Sequence, residues 1–153
     1  MEENKPLLSF SFCLDHKYGS FNANQISTGM FRPSANVRGV FMEMKKRVQD
    51  ITQMWIDSEK PAPLPAPVRE YFYVGGPSKR KFDPVNWHPT EKIIVDKLVK
   101  NGLLDDDDYR RIPEVTFKAL PEENRGHFEF KIEFFPYKKE ADGRSLFTTR
   151  SEK

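Results

Sequence analysis

Residues 127–135 alternate between apolar and polar side chains at every position, and this pattern constrains the fold more than any other. The apolar side comprises Phe128, Phe130, Ile132 and Phe134. The other side comprises His127, Glu129, Lys131 and Glu133. Because successive side chains of a strand point to opposite faces, the alternation predicts a half-buried β-strand. The buried face of such a strand needs a second layer to cover it.

Two helices and three further strands are predicted from periodicity and from turn residues. The strands are expected at residues 7–14, 68–74 and 114–119, and the helices at residues 36–57 and 90–101. Ser34 or Asn36 is expected to cap the first helix, Thr90 the second, and Gly102 to end the second. The resulting order, β-α-β-α-β-β, predicts an α/β fold of the α+β kind. It is a two-layer domain in which two helices cover one face of a small mixed four-stranded sheet.

The composition sets broad limits on the kind of protein. A chain of 153 residues fits one domain, expected at residues 1–137, followed by a polar tail at residues 138–153 that is expected to be disordered. The single cysteine, Cys13, excludes an internal disulfide and is expected to be a buried thiol in a reducing compartment. No stretch approaches the roughly 20 apolar residues of a membrane span. The net charge of +2 is too small to identify a partner, so local clusters must do so.

The candidate chemistry is concentrated between Asp83 and the four consecutive aspartates at residues 105–108. Adjacent carboxylates repel one another unless a cation or water absorbs their charge, and hard oxygen ligands suit Mg²⁺. A basic run at Lys79, Arg80 and Lys81 precedes them and suits a phosphate-rich substrate, and Lys45 and Lys46 form a second basic patch. The combination favours metal-assisted phosphodiester chemistry. The alternative for each cluster is an ordinary solvated turn or loop.

Two further residues of this segment, Lys92 and Asp96, lie four positions apart and therefore share one side of the second helix. They can form a surface ion pair or take part in the site. Asp83 and the aspartate run lie at opposite ends of that helix, about 18 Å apart along its axis. They can act together only if the chain folds back along the helix.

The ordered set of residues in this segment resembles the RusA-type Holliday junction resolvases, over about residues 7–135. The resemblance includes Asn22 and Asn24, residues 32–35 before the long helix, and the strand opened by Pro67 and Val68. Its strongest part consists of Asp83, Asn86, Lys92, Asp96, Leu98, Gly102 and the acids after Leu104. The position of the family's second acid is occupied by Val85, and Lys92 matches the family's lysine if three residues near Trp87 are inserted.

The resemblance implies a homodimer that binds four-way or branched DNA and nicks it with Mg²⁺, with Mn²⁺ as a possible substitute. It implies catalytic roles for Asp83, Lys92 and Asp107, and metal ligation by Asp83 and Asp107 with Asp106 and Asp96. Asn86 would contact DNA beside the basic residues. It implies no nucleotide cofactor and no membrane, and a location in the cytoplasm of a bacterium or phage-infected cell. The alternatives are a DNA-binding relative without catalysis, or a phage interaction protein that uses residues 61–67.

Overall fold

The computed structural model of the protein describes residues 5–20 and 35–138. Its strands are β1 (Leu8–Asp15), β2 (Val68–Gly75), β3 (Glu114–Ala119) and β4 (His127–Pro136). Its helices are α1 (Ala35–Glu59) and α2 (His88–Lys100), and short 3-10 turns occupy His16–Ser20 and Pro84–Trp87. The predicted order of strands and helices is confirmed, and most predicted boundaries lie within two residues of the observed ones.

The four strands form one mixed sheet in the order β1-β4-β2-β3. β4 lies between β1 and β2 and pairs with both in the antiparallel sense. β2 and β3 are parallel, so α2 lies in the connection that carries the chain from one to the other. This connection brings the residues before and after α2 back to the same sheet.

One face of the sheet forms the core together with both helices. Phe130, Ile132 and Phe134 of β4 are no more than 1% exposed, which confirms the predicted burial of the apolar side of that strand. They share a single hydrophobic cluster with Met44 and Val48 of α1 and with Ile94, Val95 and Leu98 of α2. The two-layer arrangement follows because α1 and α2 each offer an apolar stripe, and one sheet face can cover both.

The expected burial of Cys13 is wrong, because this thiol is exposed. In β1, Leu8, Phe10 and Leu14 are buried, whereas Ser9 and Cys13 are exposed. The alternation of the strand therefore points the cysteine away from the helices. Its position at the end of an apolar run suggested burial, but the period of two decides its face.

The expected caps of the helices are also corrected. Thr90 is buried within α2, which begins two residues earlier at His88 and has Trp87 at its cap position, without a side-chain hydrogen bond. The chain enters α2 directly from the preceding 3-10 turn, and Pro89 fits an early helical position because its missing N–H has no partner there in any case. In α1, Asn36 lies inside the helix rather than at its cap.

Some predictions concern residues outside the described ranges. These are the cap at Ser34, Asn22 and Asn24, the residues 32–34, and residues 139–153 of the predicted tail. No helix in the described ranges combines the length and apolar character needed to cross a membrane.

Candidate functional site

The end of α2 turns the chain so that the aspartate run returns along the helix. The N–H of Gly102 donates to the carbonyl of Val99, and the N–H of Leu103 donates to the carbonyl of Leu98. Gly102 has a positive φ of 77°, as the glycine that ends a helix in this way requires. Leu103 and Leu104 are buried and anchor the turn on the core. The predicted role of Gly102 is therefore confirmed, and the turn determines where residues 105–108 lie.

The returning chain brings Asp107 to Lys92, fifteen positions earlier in the sequence. The Lys92 ammonium forms a hydrogen bond and ion pair with the Asp107 carboxylate, and a second ion pair of 3.2 Å with Asp96. Lys92 lies eight residues before the end of α2, which corresponds to about 12 Å along the helix axis. The chain thus folds back along much of α2, which is the condition that the sequence set for one common site.

The four aspartates differ in their partners. An oxygen of Asp106 accepts the backbone N–H of Asp107 at 2.7 Å, which shapes the run locally. Asp108 accepts the backbone N–H groups of Arg110 and Arg111 and lies 3.2 Å from the Arg111 guanidinium. Cations and N–H donors therefore offset part of the repulsion expected among the four acids, and Asp108 has a mainly structural role.

Lys92, Asp96, Asp106 and Asp107 line an open pocket of about 330 Å³, together with Val99 and Lys100. We call this pocket the Lys92 pocket. The hydrogen bond to Asp107, with help from Asp96, raises the pKa of Lys92. The same hydrogen bond lowers the pKa of Asp107. Lys92 therefore keeps its positive charge, and Asp107 its negative charge, over a wider range of pH. Both side chains are partly exposed to solvent.

Asp83 and Asn86 belong to the 3-10 turn that leads into α2. Asp83 is exposed, and one of its carboxylate oxygens accepts the N–H of Val85 at 3.3 Å. Its backbone carbonyl accepts the N–H of Asn86. Neither residue is among those that line the Lys92 pocket. Asp83 thus lies in the turn before α2, and its carboxylate does not share the pocket that Asp106 and Asp107 line.

The basic run forms part of a different pocket. Arg80 and Lys81 line a cavity of about 200 Å³ with Phe82 and Arg125, and Lys79 beside them is exposed. The Arg125 guanidinium is largely buried and donates to the carbonyls of Gly76 and Pro121 and to Glu129. Arg125 was not predicted from sequence, because it lies in a polar loop without periodicity. It fastens the loop before β4 to the end of β2.

The second basic patch lies on α1. Lys46 is exposed and pairs with Asp50 at 3.0 Å one turn later, while Lys45 is half-buried. The Lys46 contact is an ordinary surface ion pair and contributes little to stability. Within the described ranges these lysines line neither of the two pockets above.

A second group of acids lies on the inner side of α2 and was not predicted as a site. Glu70 of β2 is fully buried, and Glu91 of α2 is 6% exposed. The alternation of β2 places Glu70 on the same face as Val68, Phe72 and Val74. A charged residue at a core-facing position was the sequence signal for this group. Glu91 lies in the first turn of α2, and its side chain is turned towards the core.

Comparison with protein-family models and with curated proteins found no match for this chain.

Proposed function

We propose that the protein is a Mg²⁺-dependent endonuclease that cuts Holliday junctions and other branched DNA. The Lys92 pocket is the observation that supports this proposal most. Its lysine forms ion pairs with Asp96 and Asp107, and Asp106 lines the same pocket. A lysine among carboxylates in an open pocket suits chemistry on a phosphodiester, because the acids suit a hard cation and the lysine suits a phosphate oxygen.

Asp107, Asp106 and Asp96 would hold the metal ion in the Lys92 pocket. Asp83 lies outside this pocket and would join them only if the adjoining turn moves towards the pocket when the metal binds. Their carboxylate oxygens are the donors that Mg²⁺ prefers. Within the described ranges no three acidic, histidine or cysteine side chains are already grouped for a metal, and Asp96 and Asp107 each form an ion pair with Lys92. A bound Mg²⁺ supplies an activated water and stabilises charge on the phosphate.

The chain's own residues would position the substrate and balance its charge. Lys92 neutralises negative charge that develops on the phosphate or the leaving oxygen, and Asp107 keeps it protonated and oriented. Lys79, Arg80 and Lys81 would bind the phosphates of an adjoining DNA arm, with Asn86 nearer to the first turn of α2. Lys45 and Lys46 would extend this contact along α1.

We further propose that the active form is a homodimer in the cytoplasm of a bacterium or a phage-infected cell. Two related sites are the simplest way to nick a two-fold symmetric junction on both sides. Light scattering at micromolar protein, with and without junction DNA, tests this proposal. A monomer under both conditions would contradict it.

The direct test of the activity uses a labelled four-way junction and the purified protein, with Mg²⁺, with Mn²⁺ and with EDTA. Symmetric nicks that depend on the metal are the expected result, and linear duplex of the same sequence should remain uncut. Binding of the junction without cleavage under any of these conditions would instead support the second candidate.

The second candidate is a junction-binding protein that has lost catalysis. Val85 favours it, because this side chain cannot bind a metal and is 49% exposed where the related enzymes carry their second acid. A role as an interaction protein through residues 61–67 receives less support. Leu64 in that segment is buried, and its N–H donates to the carbonyl of Leu103, so the segment serves as a fixed spacer.

A further inference from the structure

Glu70 is a fully buried acid for which the ionised form has no donor. Both of its carboxylate oxygens are inaccessible to water and accept no hydrogen bond. Its neighbours on the adjoining strands are Phe134 of β4 and Val115 of β3. A carboxylate without a donor is costly in such surroundings, so the group is expected to bind a proton instead.

The residue that faces Glu70 is another acid, Glu91 of α2. Burial raises the pKa of Glu70, and Glu91 raises it further, through a side-chain hydrogen bond and through its negative charge. Two carboxylates cannot donate to each other, whereas a carboxyl group can donate to a carboxylate. One proton between the two residues therefore satisfies the contact and removes the repulsion of two buried negative charges.

The surroundings contain few other charged groups. Thr52, Thr90 and the two glutamates are the buried polar residues of the described ranges, so the core side chains from α1, β1 and β4 are uncharged. His88, one turn before Glu91, is largely exposed, and its Nδ1 lies 3.2 Å from a Glu91 oxygen. No three potential metal ligands are grouped in the described part of the chain. A single proton is enough to satisfy this contact.

We propose that Glu70 and Glu91 share one proton at neutral pH, and that this proton joins β2 to α2 and positions Lys92. The shared proton is independent of the proposed nuclease activity, whereas the positioning role rests on it. Glu91 and Lys92 are adjacent in α2, so their side chains leave the helix about 100° apart around its axis. Holding Glu91 against the sheet therefore fixes the rotation that points Lys92 into its pocket.

The pair makes the stability of the protein depend on pH in a defined direction. Burial, and then Glu91, raise the pKa of Glu70 well above that of an ordinary glutamate. A group whose pKa is raised by folding contributes its full stability below the ordinary carboxyl pKa and loses it as pH rises through the folded value. The protein should therefore become less stable between neutral and alkaline pH.

Thermal unfolding of wild type, Glu70→Gln and Glu114→Gln between about pH 6 and about pH 9 tests the shared proton. Glutamine keeps a donor for Glu91 and cannot ionise. The melting temperature of wild type should fall by several degrees over this range, and that of Glu70→Gln should fall much less. Glu114 is exposed at the start of β3, so its variant should follow wild type. Equal falls in wild type and Glu70→Gln would overturn the shared proton.

Infrared spectroscopy of the wild-type protein gives a second test that needs no variant to fold. A protonated carboxyl group at neutral pH should give its own carbonyl band, which is distinct from those of ionised carboxylates. The absence of this band would overturn the proposal even if Glu70→Gln fails to fold.

Junction cleavage tests the positioning role. Glu70→Gln should cleave at nearly the wild-type rate, and Glu70→Leu, which offers no donor to Glu91, should be several-fold slower while remaining folded. A wild-type rate in Glu70→Leu would overturn the positioning role and leave the shared proton intact. If the wild-type protein cuts no junction, the proposed function and the positioning role both fail, while the melting and infrared results still decide the shared proton.

Discussion

Two groups of acids lie on different sides of α2. Both consist of carboxyl groups, but they differ in exposure, in contacts and in the direction of their pKa shifts. On the outer side, Asp96 and Asp107 contact the Lys92 ammonium and are exposed to solvent. On the inner side, Glu91 faces Glu70, and neither water nor a cation reaches the Glu70 oxygens. The pKa of Asp107 is lowered by its hydrogen bond to Lys92, whereas the pKa of Glu70 is raised by burial and by Glu91.

The difference shows that environment, rather than residue type, decides what a carboxyl group can do. The outer acids keep their charge and are therefore suited to a metal ion or to holding a lysine. The inner pair keeps a proton and is suited to joining a strand to a helix. Both groups depend on the rotation of the same helix, so a change in either one should be measurable in the other.

The largest expected effect is the loss of cleavage when a charge is removed from the outer group. Asp107→Asn and Asp83→Asn should each abolish junction cleavage and spare junction binding, because a neutral amide is a poor metal ligand and repels DNA less. Asparagine can still accept the N–H of Val85 at position 83, so the local turn should persist. Single-turnover assays and gel-shift binding measure the two properties, and cleavage at the wild-type rate by both variants would refute the metal assignment.

The next effect concerns Lys92. Lys92→Ala should lower the single-turnover rate by roughly 10²-fold or more, with little change in junction affinity, if the lysine stabilises the transition state. Lys97→Ala is the matched control, because Lys97 lies in the last turn of the same helix and outside the pocket. A rate within a few-fold of wild type would make Lys92 a surface ion-pair partner only. Since α2 begins at His88, Lys92 lies beyond the first turn, where the helix dipole disfavours a cation only weakly.

A smaller effect is expected for the basic run that would accompany the outer group. Alanine at residues 79–81 should weaken junction binding for all sequences and reduce the salt dependence by about one unit of slope per lost phosphate contact. Alanine at Lys60, Lys97 and Lys118 removes the same charge elsewhere on the protein and should change the slope less. Binding titrations at several salt concentrations measure both variants. If alanine at residues 79–81 leaves the affinity and the slope unchanged, these residues do not belong to the DNA interface.

The smallest effect is on stability at acid pH, and its sign is opposite to that expected for the inner pair. A group whose pKa is lowered by folding stabilises the protein above its ordinary pKa, and this contribution is lost as pH falls through the folded value. Asp107 and Lys92 are both partly exposed, so Asp107→Asn should cost at most about 1 kcal/mol at neutral pH. In denaturant unfolding, the difference in free energy of unfolding between wild type and Asp107→Asn should disappear at low pH. A difference that stays constant with pH would contradict the lowered pKa of Asp107.

Local geometry explains which parts of the fold were predictable. The alternation of β4 and the apolar stripes of the helices reflect backbone periods that each segment carries by itself. The role of Gly102 was also predictable, because only a residue that tolerates positive φ ends a helix in that way. The start of α2 was less predictable. Thr90 is a residue type that favours a cap, but the preceding turn and Pro89 let the helix begin two residues earlier.

By itself the sequence determined the mixed sheet with two helices, and it marked the acids, lysines and arginines as candidates for chemistry. Only the tertiary structure decided which of them meet. Asp107 reaches Lys92 because the chain turns back at Gly102, and Glu70 meets Glu91 because α2 packs with that side against β2. These contacts join residues fifteen and more positions apart, and periodicity carries no information about how two elements rotate against each other. Their environments, and hence the opposite shifts in the pKa values of Asp107 and Glu70, follow from that packing.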